Sequence, residues 1–152
     1  MRCNSGIHPS LLVDQHLMAE QSEILMIPGV LKKNNWQYKT KMPPKYTLGK
    51  GHMTFWNNKL LYLRKRHDEI KKEVARRGFK VTDLCVDIDE YPKDLVNDWR
   101  PCIEDSLIVR KRIAEKIIAK ENLFWRYEGR YIDSAALTAY INEIINAPLH
   151  YV

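Results

Sequence analysis

The stretch KLLYLRKRHDEIKKEVARRGF, residues 59–79, decides the fold class. Leu60, Leu63, His67, Ile70 and Val74 recur there at spacings of three and four, the pattern of one buried helical face. Asn57 or Asn58 opens this helix, and Gly78 stands where a left-handed C-terminal cap belongs. His67 on the stripe reads as a histidine at the core's edge rather than a ligand. Working outward, Ser10 caps a helix toward Met26, with Leu11, Leu12, Leu17, Met18, Ile24 and Leu25 on its apolar side and Pro28-Gly29 as the breaker. Ser106 or Asp105 caps another through Lys120, with Leu107, Ile108, Ile113, Ile117 and Ile118 inward. Asp133 or Ser134 starts a last one, whose Leu137, Tyr140, Ile141, Ile144 and Ile145 face the core. Residues 41–51, with two prolines and two glycines, form an ordered loop, and residues 83–101, acidic and broken by Pro92, form turns with one short helix. The expectation is an all-α protein, a mainly helical single compact domain of about four helices with long ordered loops.

Size and composition agree. The chain has 152 residues, 45% hydrophobic and 29% charged, with only 6 Gly and 7 Pro, which fits one globular domain and argues against a disordered or collagen-like chain. No apolar run reaches membrane-spanning length, and residues 1–20 lack the pattern of a secretory signal, so a soluble, cytoplasmic protein is expected. Cys3, Cys85 and Cys102 are odd in number and have no paired metal-site spacing, and the five histidines are scattered singly. Neither a disulfide framework nor a metal site is expected.

The distribution of charge says more than its formal total of +6. Residues 31–50 hold six Lys and no acid, interleaved with Trp36, Tyr38 and Tyr46. Residues 59–80 carry nine basic side chains against three acidic, and residues 110–130 seven against three. Residues 87–105 run the other way, with seven acids against Lys93 and Arg100. One side facing a polyanion, with an acidic back, is the simple reading, because clustered Lys and Arg release phosphate counterions when they bind nucleic acid. Three solvated helix faces are the alternative.

Five strings then carry a resemblance: DQHLMAE at 14–20 followed by Glu23, LGKGHMTF at 48–55, KLLYLRKR at 59–66, RRGF at 76–79 and FWRYEGR at 124–130. In order and spacing, the chain resembles the phage-type pyrimidine-dimer DNA glycosylase/AP lyase family, often called endonuclease V. The resemblance covers residues 1–132 as one glycosylase-like domain, and residues 133–152 add a helix, packed on the same domain, that the compact phage enzyme lacks. It implies a repair enzyme of a viral or microbial setting, acting as a monomer on duplex DNA with a damaged or modified base, the pyrimidine dimer first. A non-catalytic DNA-binding descendant is the alternative.

The chemistry so implied uses no metal and no cofactor. The chain's own terminal amine attacks C1′ of the damaged nucleotide, the base leaves, and the resulting imine permits strand scission by β-elimination. A terminal amine suits this role because its pKa of about 8 leaves a neutral fraction that a Lys at about 10.4 lacks. Aligning Arg2 and Asn4 with the family's Arg and Asn puts Met1 on the nucleophile position, with Arg2 in second place generally blocking Met removal. Glu23 takes the catalytic carboxylate's role, stabilising the cationic sugar and imine and handling protons. Gln15 and His16, implied as DNA contacts, lie about two turns before it and roughly on the same face of the opening helix; the family match puts His16 beside the reactive sugar, with helix packing as the alternative. Phosphate contacts are expected from Arg2, Arg112, Lys116, Arg126 and Arg130, and stacking from Trp125 and Tyr127. Phe124 and Trp125 are equally open as core anchors, and Lys50 and His52 serve the fold.

Beside Glu23 the chain departs from the family. Arginines precede the catalytic Glu immediately and follow it by three residues there, where this chain has Ser22 and Met26. Two phosphate clamps are thereby missing, and a lesion other than a dimer becomes an option.

Overall fold

The computed structural model describes residues 3–38, 41–120 and 124–152. It is mostly helical, with helices α1 (Asp14–Glu23), α2 (Met26–Lys33), α3 (His52–Phe55), α4 (Leu60–Arg76), α5 (Ile103–Ile118) and α6 (Ser134–Asn146). A two-residue hairpin, β1 (Arg126–Tyr127) and β2 (Arg130–Tyr131), separates α5 from α6. Its turn residues Glu128 and Gly129 both have positive φ, 49° and 78°, the backbone that lets a two-residue loop follow the twist of its strands.

The central helix forms as its periodicity dictates. Leu60, Leu63, His67, Ile70 and Val74 of α4 are buried, and Gly78 (φ 74°) ends it as its N–H bonds Ala75 O at 2.9 Å. Its first residue is Leu60, two or three later than the asparagines, because Trp56, Asn57 and Asn58 form a separate turn. The Trp56 ring stacks on Tyr62 at 5.3 Å, and Phe55, Tyr46 and Trp99 pack edge-on around them. The loop of residues 41–51 thus earns its order from aromatic contacts, and the acidic segment holds two short turns, Ile88–Glu90 and Lys93–Leu95.

Several sequence expectations need correction. The opening helix is split: Ser10 lies in a 3-10 turn, Pro9–Leu11, α1 starts after Val13, and Ile24-Leu25 separates it from α2. Pro28 is no breaker, because it occupies the first turn of α2, where a backbone N–H has no helical acceptor to lose. On α5 the buried face is Ser106, Val109, Arg110, Ile113, Ala114 and Ile117, whereas Leu107, Ile108 and Ile118 are exposed. Its apolar residues reach beyond one face, so neighbours chose the register; it starts at Ile103, with Cys102 at the N-cap and Asp105 completing a capping box by accepting the Cys102 N–H at 2.9 Å. Ile145 of α6 is likewise exposed, while Tyr140 and Ile144 are buried and Asp133 caps by accepting the Ala136 N–H. α6 packs along α5, and α1 crosses α4.

The acidic segment is tied to two of the basic stretches: Glu90 pairs with Lys32 at 2.5 Å and Asp98 with Lys65 at 2.6 Å.

Candidate active site

α1 is the hub, and its inward face is polar. Asp14, His16, Glu20 and Gln21 are buried there beside Leu17, at helical spacings that stack them on one side. Each ties a different part of the chain to the helix. Asp14 accepts the Glu128 N–H at 3.0 Å and the Gly129 N–H at 2.8 Å, and pairs with Arg77 at 2.8 Å, so it seats the hairpin turn. Gln21 accepts the Thr82 N–H at 3.0 Å, fixing the segment after α4, while His67 reaches the Gln21 carbonyl at 3.0 Å.

Glu20 organises the arm that precedes α1. Its carboxylate is fully buried and receives four hydrogen bonds: the Asn4 N–H at 2.9 Å, Asn4 Nδ2 at 2.7 Å, Arg66 Nε at 2.9 Å and Arg66 Nη2 at 3.3 Å. Burial alone would raise its pKa, but the Arg66 charge and these donors hold it below the ordinary glutamate value. Arg66 also donates to the Ile7 carbonyl at 2.7 Å, and Arg112 of α5 donates to Asn4 Oδ1 at 2.6 Å. The arm is therefore gripped from α1, α4 and α5 at once. Cys3 is buried beside Glu20, and burial pushes its thiol pKa up, so it is not a nucleophile at neutral pH.

Glu23 is the last residue of α1, half-buried and one turn beyond Glu20. His16 lies two turns back, buried, with its ring edge-on to Trp125 at 5.2 Å. His52, from the LGKGHMTF string, is buried beside Tyr46, its Nδ1–H donating to Thr47 O at 2.9 Å. Burial first, and the Arg112 charge second, push its pKa down to about 4, so it is neutral at physiological pH. Met1 and Arg2, the expected nucleophile and phosphate contact, lie outside the described residues.

The second lobe of the site is the hairpin. Gln15 straps it to α1, donating to Phe124 O at 2.7 Å and accepting the Arg126 N–H at 3.1 Å. Tyr127 donates its hydroxyl to Ser10 O at 2.6 Å and lies under the Arg77 guanidinium at 4.7 Å. Trp125, expected among the DNA contacts, is buried with its indole N–H on Lys120 O at 3.1 Å. The ring presented outward is Phe124, 76% exposed, edge-on to Tyr131 at 5.6 Å. Arg126 sits over Tyr131 at 4.8 Å, and Arg130 is exposed beside it. Asp14, Gln15, Met18, Phe79, Phe124, Arg126 and Gly129 line a groove between hairpin and helix. On α5, Lys116 follows Arg112 by one turn and is exposed. Of the basic stretch at 59–80, by contrast, Arg66 and Arg77 are turned inward as structural ions.

The family model described as pyrimidine dimer DNA glycosylase matches residues 1–87. The chain belongs to this family. The match takes in the arm and α1 to α4, hence Asn4, Glu20, Glu23, His52 and Arg66 together. A pyrimidine dimer DNA glycosylase takes DNA as its substrate, which accounts for the excess of Lys and Arg. Among the described residues no helix is long and apolar enough to cross a membrane, and no His, Cys, Asp or Glu cluster could hold a metal ion.

The polar contacts that hold the arm and the hairpin to α1 were the part sequence reasoning missed. Asp14, Glu20, Asn4 and Arg66 drew no functional role, although 14, 16, 20 and 21 already fall at the spacings of one helical face. An inward face made of polar residues is the signal, and a search for apolar stripes passes over it.

Proposed function

We propose that this pyrimidine dimer DNA glycosylase is bifunctional, excising the lesion and cutting the strand as an AP lyase, with the α-amine of Met1 as nucleophile and Glu23 as the catalytic carboxylate. The amine nitrogen bonds to C1′ as the glycosidic C1′–N bond breaks and the base leaves with a proton. Release of O4′ from C1′ gives the imine. Loss of a C2′ proton then expels the 3′ phosphate oxygen and breaks the strand. Glu23 stabilises the cationic sugar and moves these protons. The steps balance without a metal or cofactor.

The observation that carries this reading is the pair of hydrogen bonds from Asn4 to Glu20, one turn before Glu23. Three residues of chain reach about 10 Å, and one helical turn rises about 5 Å, so a terminus held at Asn4 has the reach to share a deoxyribose with Glu23. Arg112, Lys116, Arg126 and Arg130 supply phosphate contacts, and His16, Gln15, Trp125 and Tyr127 hold the surfaces that carry them. Base exposure from duplex DNA costs a few kcal/mol, least at a damaged base, and the exposed Phe124 ring offers a stacking surface. The enzyme works as a monomer.

Borohydride trapping on duplex DNA bearing an abasic site tests the proposal. A covalent adduct that disappears when the terminal amine is blocked, and that Glu23→Gln weakens, is the expected result. DNA binding without an adduct would leave a non-catalytic DNA-binding protein, and an adduct that survives N-terminal blocking would move the nucleophile to a lysine such as Lys50.

A further inference from the structure

A second anchor of the arm lies outside the residues that match the family. Gly6, two residues after Asn4, adopts φ 74° and is sandwiched between α5 and the segment after α6. A Cβ placed there would meet Ser106 Cβ at 2.8 Å and Leu149 Cδ1 at 3.0 Å. Its carbonyl accepts two hydrogen bonds, from Ser106 Oγ at 3.2 Å and from the His150 N–H at 3.1 Å. The His150 ring in turn is held by α4, with Nε2 at 3.0 Å from both Glu69 carboxylate oxygens, and packs edge-on to His8 at 4.6 Å. Glu69 also lies 3.8 Å from Arg66, the residue that grips Ile7 O and Glu20.

We infer that Leu149 and His150 act as a clamp that positions the arm for catalysis: the His150 side chain is fastened to Glu69, and its backbone N–H then holds Gly6, so that Asn4 keeps its fixed place against Glu20, one helical turn before Glu23. His150 is a positioning residue, because it works through the arm and touches no DNA. The inference rests on the terminal-amine reading. Its physical basis is that intramolecular alignment is sensitive to displacement: a misplacement of about 1 Å costs about a hundredfold in rate. Glu20 and Arg66 fix the arm's near side and α5 its flank. Without the clamp the Gly6 carbonyl keeps a single side-chain donor.

The test uses the full chain and three readouts: single-turnover borohydride trapping, equilibrium affinity for the same abasic duplex, and hydrogen exchange at the Asn4 amide. His150→Ala should slow trapping at least tenfold, leave affinity within twofold, and speed exchange at Asn4 while the α4 amides keep their protection. His150→Gln, which retains a donor for Glu69, should restore most of the rate. Gly6→Ala should reproduce the His150→Ala pattern from the other side of the contact. Trapping and Asn4 exchange at wild-type levels in His150→Ala would overturn the clamp, as would a loss of α4 protection equal to that at Asn4. Failure of the wild-type protein to trap at all would strike the terminal-amine reading instead, while the exchange measurement would still decide whether the segment holds the arm.

Discussion

Asn4 and Glu20 are joined twice, the Asn4 N–H to Oε1 at 2.9 Å and Nδ2 to Oε2 at 2.7 Å, in a buried pocket that Arg66 completes. A chain segment with no helix or strand of its own is thereby held by a carboxylate. Its geometry depends on charge as well as on the burial of Cys3 and Ile7 in the core.

Removing that charge should be costly. Glu20→Gln leaves the fully buried Arg66 guanidinium facing a neutral amide, and stranding one member of a buried ion pair costs about 3–5 kcal/mol. Denaturant unfolding of the variant should give a midpoint lowered accordingly. A change below about 1 kcal/mol would mean that water or another acid replaces Glu20.

Acid should weaken the fold in a definite window. Burial lowers the pKa of His52, to about 4, and also those of His8 and His67, from an ordinary 6.5. The unfolded chain therefore binds more protons than the folded one below pH 6.5. The stability these histidines contribute is complete above 6.5 and is lost as pH falls toward the folded values. For His52 the contribution is on the order of 3 kcal/mol. Glu20, held below its ordinary value, adds a loss at still lower pH. Urea midpoints should hold from pH 7.5 to about 6.5 and fall from there to pH 4.5, and His52→Gln should flatten the fall; an unchanged slope would exclude His52 as its source.

Asp14 is predicted to control the hairpin from a distance in sequence of more than a hundred residues. Asp14→Asn keeps one carbonyl oxygen but loses the second acceptor and the pairing with the buried Arg77. A destabilisation of about 3 kcal/mol is expected, with faster hydrogen exchange at the Gly129 amide and weaker DNA binding through Phe124 and Arg126. Exchange at Gly129 equal to wild type would refute the seating role.

The two positions flanking Glu23 offer a gain-of-function test. Ser22 is exposed and Met26 is 44% exposed, so arginines introduced there bury no charge. Ser22→Arg with Met26→Arg should tighten binding to duplex DNA and steepen the dependence of log affinity on log salt by about 0.9 per new phosphate contact. An unchanged salt slope would place these positions away from the DNA. A panel of lesions, including a cyclobutane dimer, would then read whether these residues set lesion preference.

The sequence by itself determined α4 and its cap, α6 with its Asp133 cap, the basic excess and the family, because each rests on local spacing or on strings of residues that survive without knowledge of neighbours. It could not set the buried face of α5, where Leu107, Ile108 and Ile118 compete with Val109, Ile113 and Ile117, and packing such as Ser106 against Gly6 selects the register. Nor could it assign the inward carboxylates. Asp14 and Glu20 look like any solvated helical acid until α1 crosses α4 and brings Arg66, Arg77 and the arm against them. Tertiary structure alone decided that, since a buried charge is tolerable only where partners from distant segments converge to satisfy it.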